Sequence, residues 1–155
     1  ITLREKIIEQ VGVIGEKVEV ADYQKIEAPQ VVSYIHMGNK AGVILGLSQD
    51  GIDVSAGRDV AMQVAAMHPV AVDKDGVDSS IVEKEIEIGM DIARQEGKPE
   101  AMLEKIAMGK LNKFFKERTL LNQAFVKNNK QNITQYLDSV SSGLTVTDFK
   151  HVKLG

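Results

Sequence analysis

The chain has 155 residues, 43% hydrophobic and 26% charged, which is globular composition and long enough to bury a core without disulfides or metal. Lys and Arg number 19 against 22 Asp and Glu, a formal net charge of −3, so no global field draws the molecule toward phosphate backbones or anionic lipid, and neither nucleic acid nor membrane is expected as a direct partner. Cysteine is absent, which excludes disulfides, thiol nucleophiles and thiolate metal sites and suits a reducing, cytoplasmic setting. No uninterrupted apolar run reaches the roughly 18 to 20 residues that cross a bilayer. Ile1-Thr2-Leu3-Arg4 is not a signal peptide, and the lack of an initiator methionine points to a piece of a longer product.

Leu3, Ile7, Ile8, Val11 and Ile14 recur at helical spacing and predict an amphipathic helix that ends near Gly15 and packs on a neighbour. Val18 to Tyr23 alternates apolar and polar residues, and Val31 to His36 is rich in β-branched and aromatic side chains; both read as strands. Gly38-Asn39 followed by the apolar run Ala41 to Leu47 predicts a tight antiparallel hairpin. Asp50-Gly51 is turn chemistry, and Val60, Met62, Val64, Ala65 and Met67 predict a short helix stopped by Pro69.

A helical pair follows, from about Ser80 to Glu96 and from about Pro99 to Leu120. Ser80-Ile81-Val82-Glu83 has capping-box spacing, Gly97 suits a left-handed cap, and Pro99 suits a first helical position. The short joint Gly97-Lys98 folds the second helix back on the first, with Val82, Ile86, Met90 and Ala93 facing Leu103, Ile106, Ala107, Leu111 and Phe114. Gln123 to Lys127 then reads as a short strand, Ile133 to Val140 as a helix, and Leu144 to Val152 as a last strand whose alternation slips once, as at a bulge. The fold class is α+β: two small antiparallel-sheet lobes with packed helices, spanning residues 1–52 and 53–155, the second interrupted by an antiparallel coiled-coil hairpin at about 79–121.

Catalytic signatures do not assemble. His36, His68 and His151 have no ligand spacing, and Asp73-Lys74-Asp75-Gly76 brings its glycine too early for a calcium loop and lacks the closing glutamate. Gly12-Val13-Ile14-Gly15 lacks the preceding strand, third glycine and lysine of a phosphate loop. The carboxylates fall in helical surface stripes, and Phe114, set among Lys110, Lys113, Lys116 and Arg118, belongs to the helical seam rather than to a base-stacking strip. No catalytic residue, cofactor or metal is expected, and an enzyme acting on a covalent substrate is not the expected reading.

Several segments, in order, resemble the bacterial elongation factor Ts family. Tyr34-Ile35-His36-Met37-Gly38 with Ala41-Gly42-Val43-Ile44-Leu45 is similar to its histidine-glycine hairpin, with Asn39, Lys40 and Ala41 departing from it. Val60 to Ala66 with Pro69 resembles its methionine-containing helix, where some members have histidine at the Gln63 position. Val82-Glu83-Lys84-Glu85, Gln95 to Pro99, Lys110 to Phe114 and Leu121 to Val126 resemble its hairpin and exit, with alanine for a common proline at position 124.

The resemblance implies a guanine-nucleotide exchange factor for elongation factor Tu, a protein GTPase of translation. By the same resemblance the partner contacts fall on Ala41, Gly42, Gln63, Val126 and Lys127. The family's N-terminal helical module and its Thr-Asp-Phe-Val wedge motif are not expected in this chain, so weak binding and poor acceleration of GDP release are expected of it. The alternatives are a homodimerisation or structural module without exchange activity, and an RNA-binding hairpin, which the net charge disfavours.

Overall fold

The computed structural model describes residues 1–154. In chain order it contains α1 (Leu3–Ile14), β1 (Gln30–His36), β2 (Ala41–Leu47), α2 (Val54–Met67), α3 (Ser79–Gln95), α4 (Leu103–Arg118), β3 (Ala124–Phe125), β4 (Asn128–Asn132), α5 (Ile133–Val140) and β5 (Val146–Lys153). The class is α+β, with a three-stranded antiparallel sheet ordered β1-β2-β5 and a two-stranded sheet β3-β4.

Gly38 and Asn39 both take positive φ, 66° and 60°, the backbone a type I′ turn demands, and this sets β1 against β2 with His36 opposite Ala41 and Gln30 opposite Leu47. β5 pairs with the other edge of β2, and its register slips at Gly46/Leu47. Thr147 is the extra residue there, so the expected bulge is present. The boundary read after residue 52 falls between β2 and α2, and both hydrogen bonding and core cross it: Val32, Val43, Leu45 and Leu47 share one cluster with Val60, Val64, Ile133, Leu137 and Val146.

α2 starts two turns earlier than its apolar pattern indicates, because Asp53 accepts from the Ser55 N–H at 2.9 Å and caps it. Its first turns bury Ala56 and Gly57, side chains too small to register in an apolar count. Met67 ends it, and His68 caps it in the left-handed region at φ 48°, one residue before Pro69.

The α3–α4 arm is built as expected, with three differences of detail. Asp78, not Ser80, caps α3, accepting from both the N–H and the hydroxyl of Ser80. Gly97 at φ 75° lies just past the helix, and the Lys98 N–H reaches the Ala93 carbonyl at 3.0 Å, closing a Schellman turn. Pro99 precedes a single 3-10 turn rather than the first position of α4. Ala93, Leu103, Ala107 and Leu111 are buried in the seam, and Gly89, which the stripe omits, is buried with them because a Cβ there would lie 3.2 Å from the Ala107 backbone. At the arm's base the entering and leaving chains are strapped together: Val70 N–H to Arg118 O, Leu120 N–H to Ala71 O and Leu121 N–H to Val72 O, at 2.8 to 2.9 Å.

Two expectations are overturned, and one strand is announced by no pattern. α1 forms and is capped by the Thr2–Glu5 box, but no residue of it is buried, and Leu3, Ile8, Val11 and Ile14 are exposed. Residues 18–23 are not a strand, because no neighbouring strand among the described residues takes up their hydrogen bonds, and alternation without a ladder does not hold an extended backbone. β4 went unread because Asn128-Asn129-Lys130-Gln131-Asn132 is wholly polar and carries no apolar period.

α2 comes close to the sheet at Gly57, where a Cβ would stand 2.8 and 2.9 Å from the two γ-carbons of Val32. Gly57→Ala therefore destabilises the fold despite alanine's helix propensity advantage of about 1 kcal/mol, since overpacking against a stiff β-branched side chain costs about 1 to 3 kcal/mol. Urea unfolding measures the net effect, and a more stable Gly57→Ala chain would refute the close approach.

Candidate functional site

The residues named from the resemblance separate into two places. Gln63, Val126 and Lys127 meet where the β3–β4 turn passes α2, the first bonding the Val126 N–H and Asp59 one turn earlier meeting Lys127. Ala41 and Gly42 lie at the turn end of β2, paired with His36 and Ile35 on one side and with Lys153 and Val152 on the other.

Gln63 is fully buried, so it does not reach outward as its amide suggested. Its Nε2 donates to Ala124 O at 3.0 Å and to Gln123 Oε1 at 3.2 Å, and its Oε1 accepts from the Val126 N–H at 2.9 Å. Every polar atom of the amide is thereby matched, which offsets its desolvation. The consequence is outside: with its backbone held from beneath, Val126 stands 52% exposed between β3 and β4.

Lys127 continues the same turn, and its Nζ meets Asp59 Oδ1 at 2.7 Å. Asp59 lies one helical turn before Gln63, so both face the same side. Asp59 Oδ2 also accepts from the Tyr136 hydroxyl at 3.3 Å, and the Tyr136 ring stacks on Phe125 with centroids 4.3 Å apart. Burial first, and then the Asp59 charge, raise the Tyr136 pKa above its ordinary value. Asp59 and Tyr136 were not singled out from sequence; the i, i+4 spacing of Asp59 and Gln63 was the available signal.

Around Ala41 and Gly42 the sheet leaves two open apolar hollows. One, of about 470 Å³, is lined by Ile35, Asn39, Lys40, Ala41, Gly42, Val152 and Leu154. The other, of about 210 Å³, lies on the outer sheet face among Gln24, Ser33, Ile35, Gly42, Ile44 and Lys150. A Cβ on Gly42 would touch Ile35 Cδ1 at 3.5 Å, so glycine keeps the hollow deep.

Thr147-Asp148-Phe149-Lys150 carries three residues of the wedge motif, with lysine for valine. In β5, however, Phe149 pairs with Leu45 and packs on the core, and Asp148 meets Lys150 at 3.5 Å. The segment is a bulged strand, not a protruding wedge.

The three histidines, unrelated by spacing, draw together at the turn end of the sheet. His68 and His151 stack with ring centroids 5.1 Å apart, and Tyr34 Oη lies 3.1 Å from His36 Nδ1. Among the described residues no set of three or more His, Asp or Glu is placed to hold a metal ion. No helix among them is long and apolar enough to cross a membrane.

These features define an α+β scaffold that carries a helical arm and presents turns and shallow apolar hollows at its surface. A family model described as elongation factor TS matches residues 1–155. The chain is 58% identical over 155 residues to an elongation factor Ts of Cytophaga hutchinsonii, covering 99% of this chain and 56% of that protein. It is 51% identical to one of Christiangramia forsetii, covering 100% of this chain and 57% of the relative. One from a Hydrogenobaculum species is 41% identical over 155 residues, covering 100% of this chain and 55% of the relative. The chain belongs to the elongation factor Ts family, and it spans a little over half the length of the curated relatives it matches.

His151 gives the fold an acid-sensitive contact. Its Nε2 is buried without a hydrogen-bond partner, and burial first, then the neighbouring His68, Lys153 and His36, depress its pKa below 6.5. The folded chain therefore binds fewer protons than the unfolded one, so stability present above about pH 6.5 is lost as pH falls through the depressed value. Thermal melts between pH 7.5 and 5 should show a falling midpoint, with a smaller fall in His151→Gln; parallel falls would remove His151 as the cause.

Proposed function

We propose that this chain docks on elongation factor Tu through the Val126–Lys127 turn and the Ala41–Gly42 end of the sheet, and serves guanine-nucleotide exchange. Family membership supports the reading, and one geometric observation carries it: a half-exposed apolar side chain, Val126, stands on a turn whose backbone is fixed by a wholly buried amide. A turn held in this way loses little freedom on binding, which is what a docking surface requires.

Exchange needs no covalent step. A factor that binds the nucleotide-free GTPase more tightly than the GDP-bound form weakens GDP binding by the same factor, by linkage. Val126 supplies apolar area, and Lys127, already paired with Asp59, presents a charge of fixed direction. The setting proposed is translation in the cytoplasm.

A second reading, pairing of two copies without exchange activity, has one observation in its favour: Ile81, Ile88 and Ile92 form an exposed row on α3.

The test is calorimetric binding of this chain to nucleotide-free elongation factor Tu, with release of fluorescent GDP as the second readout. Binding is expected, with Val126→Asp and Lys127→Glu each weakening it by about tenfold. GDP release is expected to be slower with this chain than with a full-length relative. A stable dimer by light scattering that ignores the GTPase would favour the second reading and sink the first.

A further inference from the structure

We infer that Gln123 is a positioning residue: acting through Gln63, it fixes where Val126 and Lys127 stand relative to the foot of the α3–α4 arm. The functional meaning of this inference rests on the docking role proposed above for that turn.

Gln123 is 2% exposed and joins three elements. Its Nε2 donates to the Glu117 carbonyl in the last turn of α4 at 3.0 Å, and its Oε1 accepts from Gln63 Nε2 at 3.2 Å. Its backbone carbonyl accepts from the Ile133 N–H that opens α5, and its own N–H donates to Thr119 O, both at 3.1 Å. Gln63 passes the connection on to Ala124 O and to the Val126 N–H. A continuous run of hydrogen bonds thus leads from the end of the arm, through two buried side-chain amides, to the backbone of an exposed turn.

The Gln123 side chain bonds Glu117 and Gln63, and it is Gln63 that bonds the Val126 N–H, so what the Gln123 amide passes to the turn by hydrogen bonding goes through Gln63. Filling space does not account for the pair. Leu120, Phe125, Ile133 and Leu137 make an apolar core beside it, and in such surroundings an amide is costly unless its bonds are all made. What the amides add over leucines is direction: a hydrogen bond fixes an angle as well as a distance, and satisfied buried networks hold one arrangement over its alternatives. Because the strap at Val70–Arg118 and Ala71–Leu120 anchors the arm's base to the same stretch of chain, a displacement of the arm reaches Gln123 before it reaches the turn.

The experiment is residue-resolved amide hydrogen exchange by NMR on the full 155-residue chain, unmutated and as Gln123→Met and Gln63→Met, which keep volume and remove the bonds. Although Val126 is half exposed, its amide is expected to exchange far more slowly than an unstructured one. It should speed up by about tenfold in Gln123→Met relative to the core amide of Leu45, and further in Gln63→Met. Affinity for nucleotide-free elongation factor Tu should fall by about tenfold in Gln123→Met and at least as far in Gln63→Met, and the double variant should lose no more than Gln63→Met alone.

Exchange at Val126 that is unchanged, or that speeds up in step with Leu45, would make Gln123 a filler and overturn the inference, as would strictly additive affinity losses. If the variants fail to fold, the unmutated chain still decides, because an unprotected Val126 amide overturns it. Failure of the unmutated chain to bind the GTPase sinks the docking reading alone, and the exchange data still settle whether Gln123 positions the turn.

Discussion

The structure depends on α2 being buried on two sides at once. A helix pressed between layers must be narrow, and α2 is built of Ala56, Gly57, Val60, Ala61, Val64 and Ala65 where it meets them. Gly57 lets it settle on Val32 of β1, which brings the helix close enough for the sheet to bury Val43, Leu45 and Leu47 in the same cluster as Ile133 and Leu137 from the far side. On that far side sits Gln63, a polar group with no access to water. Its three hydrogen bonds can be made only if residues 123–126 pass at one particular height over the helix, so the course of the β3–β4 turn follows from the packing of α2.

The arm is a separate economy of packing joined to the rest through its base. Along its length Gly89 and Ala107 bring the helices close, as small residues at a seam allow. At its foot the backbone strap and Gln123 replace apolar contact with directed hydrogen bonds. The seam fixes the two helices against each other, whereas the directed hydrogen bonds at the foot join the pair to the core, and so the arm's orientation relative to the core is set where it leaves it.

The sequence was most legible where apolar period and caps agreed. The α3–α4 pair, α5 and the β1–β2 hairpin declare themselves through long stripes, a Gly97 cap and a Gly38-Asn39 turn, and the structure has them within a residue or two, except that α4 begins at Leu103, behind a 3-10 turn that follows Pro99. Alternation at 18–23 misled because a strand is a property of two segments, and only one of them is in the pattern. β4 escaped for the converse reason: its backbone is paired by β3 although its side chains carry no period at all. The candidate site was legible only in part. Val126 and Lys127 fall on an exposed turn, but the burial of Gln63 and the roles of Gln123, Asp59 and Tyr136 depend on contacts between residues some 60 to 77 apart in the chain, which local period cannot reveal.

The inward turn of Gln63 also bears on how a family resemblance is carried to a single residue. The resemblance assigns a partner contact to this position, where some members have histidine, yet the side chain here uses two donors and one acceptor, each on an atom of this chain. A neutral imidazole offers one donor and one acceptor, so it could not make all three bonds and would leave either Gln123 Oε1, Ala124 O or the Val126 N–H without its partner. In this chain the side chain points inward, and what it holds in place is the backbone of Val126 on the turn proposed for docking.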